Sequence, residues 1–424
     1  MRPKSRKRRK PPKDGGIGGV LMNQARAYFL ITGDRESKVW IFRDDVPSRF
    51  LPNTFSCGTD DFRIQIVDPF GGRHPLLMCH KALSEKTLIP FLPTVILDSN
   101  IVSYLHQFVT GRPALDGKRR RTVEEFLRFI LASKLNYNPF FYYLEGVLEN
   151  ERLSKDSYLE FSESILRLHA MDRQHFLSFG EIRTDPSLFD EYKQEYGVAD
   201  FSEMAAHFAN DMIMPTDFRM QWVSRLTYAA LMKTALIHKT SKRGIAGKYE
   251  ELRDFMEDTF NIALGRERIF ALEYFTGRFD GAIPVQRGAN FERALKHVRA
   301  TARDLLLLQL PEFMLVADTA EGVYLSFIAS ADKALTKVAR ACRIDGVMAW
   351  APKIHVPLPV VSVDLTCLKP ELDAETIARI REMDSSWQKS RTSRMHASET
   401  HISFERLDEL IGQLEEEVVS YCKH

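Results

Sequence analysis

"FLPTVILDSN" (residues 91–100) decides how this chain is read. An apolar run rich in β-branched residues ends abruptly on Asp98, Ser99 and Asn100. A short apolar run of this kind reads as a strand buried on both faces, as in a parallel sheet. "IVSYL" then opens a helix, so Asp98 falls at the strand–helix junction. In α/β sheets ligands bind beyond the carboxyl ends of such strands. Taken alone, Asp98 is equally well read as a helix cap, because Asp and Ser are good N-caps.

Working outward, the pattern becomes helical. "TVEEFLRFILASKL" (122–135) sets Val123, Phe126, Leu127, Ile130 and Leu131 three and four apart on one face. Further helices are expected at 155–170, 200–213, 218–239, 248–264 and 291–310, the last with Phe291, Leu295, Val298, Ala302, Leu305 and Gln309 on one stripe. A second strand, "GVYLSFIAS" (322–330), runs straight into the helix "ADKALTKVARAC". Strands alternating with long helices predict an α/β core with a parallel sheet. Upstream, "ARAYFLIT", "KVWIFRD" and "FRIQIVD" read as strands. The expected organisation is a disordered basic tail (1–18), a β-rich N-terminal appendage (19–90), an α/β domain (91–350) interrupted by a helical insertion at about 151–289, and an extended arm with charged helices (351–424).

With 424 residues, 44% of them hydrophobic, the chain can bury a large core. Its net charge is only +2, but eight of the first thirteen residues are Lys or Arg. No apolar stretch follows them, so a signal peptide is not expected, nor is a membrane span. The five cysteines form no CxxC pair, which argues against a zinc site or a disulfide framework and for a reduced, cytoplasmic protein.

Four acids stand out: Asp98, Glu145 in "NYNPFFYYLEGVLEN", Asp304 in "TARDLLLLQ", and Asp332 after "YLSFIAS". Asp98 and Asp332 each follow a predicted strand, on the functional edge of the sheet. Clustered carboxylates repel unless cations neutralise them, which points to Mg²⁺ or Mn²⁺ and to phosphodiester hydrolysis. The bland readings are a cap for Asp98, a first-turn acid for Asp332 and solvent-facing residues for Glu145 and Glu149. Asp304, beside four leucines, has no comparable explanation. Asp318 after "FMLVA" is a rival to Asp332 that lacks the immediate helix.

The chain here resembles the PIN-domain nucleases. "VILDSNIVSYL" is similar to the first strand and helix of that family, "NPFFYYLEGV" to its second acidic element, "ARDLLLL" to the third, and "YLSFIASADKALTKVA" to its closing strand–Ser–x–Asp–helix element. The resemblance covers about 94–150 and 290–345. It implies a PIN-like three-layer core, with Asp98, Glu145, Asp304 and Asp332 as catalytic and metal-binding acids holding Mg²⁺ or Mn²⁺. Asn100 and Ser330 would be supporting residues that orient the first carboxylate and the attacking water. The departure is spacing: 159 residues separate Glu145 from Asp304, which requires the helical insertion and leaves Glu149 or an acid inside it as substitutes. A strand ending in Asp also resembles the haloacid-dehalogenase-type phosphatases, but their second Asp, two positions on, is here Asn100.

The expected activity is endonucleolytic cleavage of RNA in preference to DNA; the alternative is an inactive PIN-like scaffold or nucleic-acid-binding protein. Arg6, Lys7, Arg8, Arg9 and Lys10 in the tail and Lys118, Arg119, Arg120 and Arg121 in "GKRRR" are the expected phosphate contacts. A defence or toxin role fits such a nuclease, with an antitoxin or operon partner.

Overall fold

The structure, a computed structural model, describes residues 22, 25–26, 37–48, 50, 55–85, 90–113, 115–148, 155–213, 218–262, 264–279, 281–317, 322–350, 354–363, 372–396 and 402–423. In chain order the elements are β1 (Lys38–Pro47), β2 (Ser56–Gly58), β3 (Arg63–Val67), β4 (Arg73–Met78), α1 (His80–Glu85), β5 (Phe91–Leu97), α2 (Ser99–Thr110), α3 (Gly117–Ala132), β6 (Asn136–Asn138) and α4 (Phe140–Leu148). There follow α5 (Lys155–His169), α6 (Arg173–Phe179), α7 (Pro186–Tyr196), α8 (Phe201–Ile213), α9 (Phe218–Thr240), α10 (Ile245–Phe255), α11 (Gly265–Phe275) and α12 (Phe291–Val316). The chain continues through β7 (Val323–Ser330), α13 (Lys333–Ala341), β8 (Cys342–Trp350), β9 (Ile354–Val363), α14 (Ala374–His396) and α15 (Phe404–Lys423).

The fold is mixed α/β. One sheet has the order β2-β3-β7-β5-β6; β5 runs parallel to β7 and β6, and β3 runs antiparallel to β7. Strand β5 shows why the sheet sits where it does. Side chains alternate between faces, so Ile96 enters one core with α9, α10, α11 and α12, while Val95 and Leu97 enter a second with α2, α3, α5 and α8. On β7, Ile328 joins the first core, and Phe327 and Ala329 join the second. Helices therefore cover both faces. Each fully buried aliphatic side chain contributes about 1.5–3 kcal/mol relative to exposure.

The strands expected as a separate appendage are divided between two sheets. β2 and β3 extend the parallel sheet, whereas β1 and β4 join β8 and β9 in an antiparallel sheet ordered β4-β1-β8-β9. Trp40 and Phe42 of β1 face the core shared with the first sheet, and Val39 and Ile41 face a small cluster with Met78. The expected strand at 25–32 lies almost wholly outside the described residues, and the tail wholly so. The expected arm "VPLPVVSVD" is strand β9 up to Val363.

Three helices differ from expectation. The one expected at 248–264 is α10 followed by a π-helical turn, Met256–Phe260, which ends on Asn261 at φ 51°, a left-handed position that Asn tolerates. The one expected to stop before Pro311 continues to Val316 with the proline inside it. The last, α11, carries charge on every side and shows no apolar stripe, yet every one of its residues is buried.

Candidate functional site

The parallel pairing of β5 and β7 builds the site. Leu97 pairs with Ala329, and the N–H of Asp98 donates to the Ala329 carbonyl at 3.0 Å, so Asp98 and Ser330 emerge together at the strands' carboxyl ends. The Ser330 hydroxyl donates to Asp98 Oδ2 at 2.6 Å and accepts from the Asp332 N–H at 2.9 Å. One buried hydroxyl thus ties the first acid to the loop carrying the fourth. Asp98 occupies the N-cap position of α2, but its side chain makes no cap hydrogen bond; the carboxylate is turned towards Ser330. Burial raises the Asp98 pKa, hydrogen bonds from Ser330 and Asn100 hold it down, and the charge of Asp332 raises it further. Asn100 is exposed, in the first turn of α2.

Asp332 does behave as a cap, its Oδ1 accepting from the Leu335 N–H at 3.2 Å. Glu145 lies within α4, whose chain direction is set where Asn138 Oδ1 accepts from the Phe140 N–H at 2.8 Å. Its carboxylate takes a hydrogen bond from Ser99 Oγ and an ion pair from Arg303 at 3.2 Å.

Asp304 is midway along α12 rather than near its end, on a helix packed against β7. Its pKa is pushed up to about 8, first by burial and then by the charges of Asp332, Asp98 and Glu145 in that order, with Arg303 opposing. The other three acids singled out in the sequence therefore all act on the Asp304 carboxyl group, although the four come from separate elements. Ser99 and Arg303 are the site residues that the sequence reading missed. Each stands one residue from a predicted acid, in "LDSN" and "TARDL".

Among the described residues, no group of three or more His, Cys, Asp or Glu side chains is arranged to hold a metal ion as it stands. Asp98 is engaged by Ser330, Asp332 by its cap and Glu145 by Ser99 and Arg303. The donor set nonetheless suits a hard divalent cation in kind, because it is all oxygen, and in charge, because Asp304 is forced towards its neutral form. Glu149 and Asp318, the possible substitutes, lie outside the described residues.

The expected phosphate contacts divide in the same way. Arg6, Lys7, Arg8, Arg9 and Lys10 lie outside the described residues. Lys118, Arg119, Arg120 and Arg121 are exposed in the first turn of α3, which Asp116 caps through the Arg119 N–H at 2.8 Å. The Arg119 guanidinium lies 5.6 Å from the Phe62 ring centroid, and that of Arg120 lies 4.5 Å from Phe108. Phe62 immediately precedes β3, where the Asp60 carbonyl accepts from Lys333 Nζ, next to Asp332. The basic turn therefore abuts the sheet edge beside the acids.

Among the described residues no helix is long and apolar enough to cross a membrane. Comparison of the chain with protein-family models, curated proteins and solved structures found no match to any of them.

Proposed function

We propose that this protein is a PIN-like, metal-dependent nuclease of the cytoplasm that cuts RNA endonucleolytically. The observation that carries the reading is that Asp98 and Asp332, at the carboxyl edge of β5 and β7, act together with Glu145 and burial to raise Asp304 to about 8. Such mutual repulsion destabilises the fold and calls for a compensating cation. Asp98, Glu145, Asp304 and Asp332 would hold Mg²⁺ or Mn²⁺. Bound there, the ion would supply charge for an attacking water and for the leaving oxygen.

The chain's own residues have distinct tasks. Ser330 fixes the rotamer of Asp98 and the backbone at Asp332. Asp304 holds a proton near neutral pH and would release it on binding a cation. Arg303 pairs with Glu145 and would give up part of that hold if Glu145 bound a metal ion. That same ion pair is the observation favouring the second reading, an inactive scaffold in which Arg303 substitutes for the cation.

The test is cleavage of single-stranded RNA and of duplex DNA by the full chain with Mn²⁺ or with EDTA. RNA should be cut only with Mn²⁺, and Asp98→Asn should abolish cutting while leaving the metal-free melting temperature unchanged or higher. Failure of the wild-type protein to cut either polymer would favour the scaffold.

A further inference from the structure

Beside the acids, a cleft of about 500 Å³ opens between α9 and α12. Helix α12 presents Glu292, Lys296, Arg299 and Arg303 to it, and α9 presents Arg225 and Tyr228. The α12 positions are spaced four, three and four apart, so they form one stripe of the helix, roughly 16 Å long at 1.5 Å per residue. The stripe ends at Arg303, the residue paired with Glu145 and adjacent to Asp304. The cleft therefore meets the acidic site at Arg303, through its ion pair with Glu145, and four of these six side chains are cationic.

The arginines are held in place rather than loose. Arg225 pairs with Asp408, and Arg299 with Glu415 at 2.6 Å; Tyr228 also donates to Glu415, at 2.7 Å. Both acids lie on α15, which packs by Leu407, Leu414 and Val418 into the core shared by α9 and α12. A guanidinium has five N–H donors, so one carboxylate partner leaves capacity for a phosphate oxygen. Lys296 is exposed at the centre of the stripe.

We propose that this cleft is a phosphate-binding groove for one strand of a polynucleotide, which lays its backbone along α12 and brings a phosphodiester to the acids. The assignment rests on the nuclease reading for its direction but not for its existence. A narrow stripe with phosphate donors from two helices suits a single flexible strand. The cations contribute affinity without selecting bases.

The experiment is fluorescence-anisotropy titration of the full chain, in EDTA, with a labelled single-stranded RNA and a labelled duplex DNA at two salt concentrations. Lys296→Glu removes no packed group and should weaken RNA binding by about tenfold at low salt. It should reduce the salt slope by roughly 0.7, the single-strand contribution of one phosphate contact. Lys242→Glu, the control, lies just beyond the far end of α9, whose fifteen residues from Arg225 to Thr240 rise roughly 22 Å. It should change affinity less than twofold.

Equal losses in the two variants would overturn the groove, as would no loss in Lys296→Glu. A matching loss for the duplex would overturn the single-strand assignment. With Mn²⁺, Lys296→Glu should raise KM and leave kcat unchanged. A wild-type protein that cuts nothing, combined with a selective affinity loss in Lys296→Glu, would sink the nuclease reading and leave the groove standing. Cutting that persists without the selective loss would do the reverse.

Discussion

Asp304 and Asp98 carry the site's tension, and both effects are measurable one residue at a time. In the unfolded chain Asp304 ionises near its ordinary value of 3.8; in the folded chain it does so at about 8. Between those values the folded state holds a proton that the unfolded state has lost. Stability from this group is therefore complete below about 4 and is lost as pH rises through about 8. With EDTA present, the melting temperature should fall between pH 6 and pH 9, and Asp304→Asn should flatten that fall; parallel curves for the two proteins would refute the coupling. The Ser330 hydroxyl acts in the opposite sense, by supporting the ionised form of Asp98. Ser330→Ala leaves a buried carboxylate short of a donor and should cost about 1–3 kcal/mol in urea denaturation at neutral pH. At this scale the sequence was informative. Asp98 and Asp332 were legible because strand-to-helix junctions are, and Asp304 because an acid among leucines gains nothing from packing. Arg303 was not legible, since a charged residue on a helix reads as solvated until its partner on another element is known.

Among the elements, α11 teaches most about what sequence patterns conceal. "GRERIFALEYF" has no apolar stripe because its charged side chains are buried alongside its hydrophobic ones and are compensated by pairing. Arg266 bonds Glu312 of α12, with side-chain exposures of only 1% and 2%; Glu267 accepts from Thr227 of α9 at 2.6 Å and from Gln309 of α12 at 2.8 Å. Partners 40 to 46 residues away are invisible to a local pattern. Strand β8 was hidden for the same reason. Its Asp345 interrupts the apolar run but is buried against Arg73 of β4 at 2.9 Å, across 272 residues. Breaking a buried pair costs more than the pair was worth, because it strands the remaining charge. Glu312→Ala should therefore destabilise the protein by about 3–5 kcal/mol in chemical denaturation, whereas Arg266→Met with Glu312→Leu should recover most of the loss. If the double variant is as unstable as the single one, α11 is held by shape and not by charge.

For the whole molecule, the small net charge of +2 conceals a division. Residues 1–16 hold eight cations and Asp14, so without them seven positive charges are gone and the rest of the chain stands at −5. A body of that charge repels a polyanion at long range, even though Lys296, Arg299 and the basic turn of α3 attract it locally. The charge of the first residues would offset that repulsion, a contribution screened over about 10 Å at 0.1 M salt. Deleting residues 1–16 should weaken binding of single-stranded RNA and flatten its dependence on salt, because fewer counterions are released. The metal-dependent step should be unaffected at saturating RNA, since none of the four acids is removed. Measured in Mn²⁺ at 50 and 200 mM salt, the truncated protein should show a raised KM with kcat unchanged, and the difference from full length should shrink at the higher salt. A truncated protein with the same salt slope as the full chain would show that these cations do not meet the substrate. One with kcat and kcat/KM reduced equally would show instead that they act at the reacting phosphate.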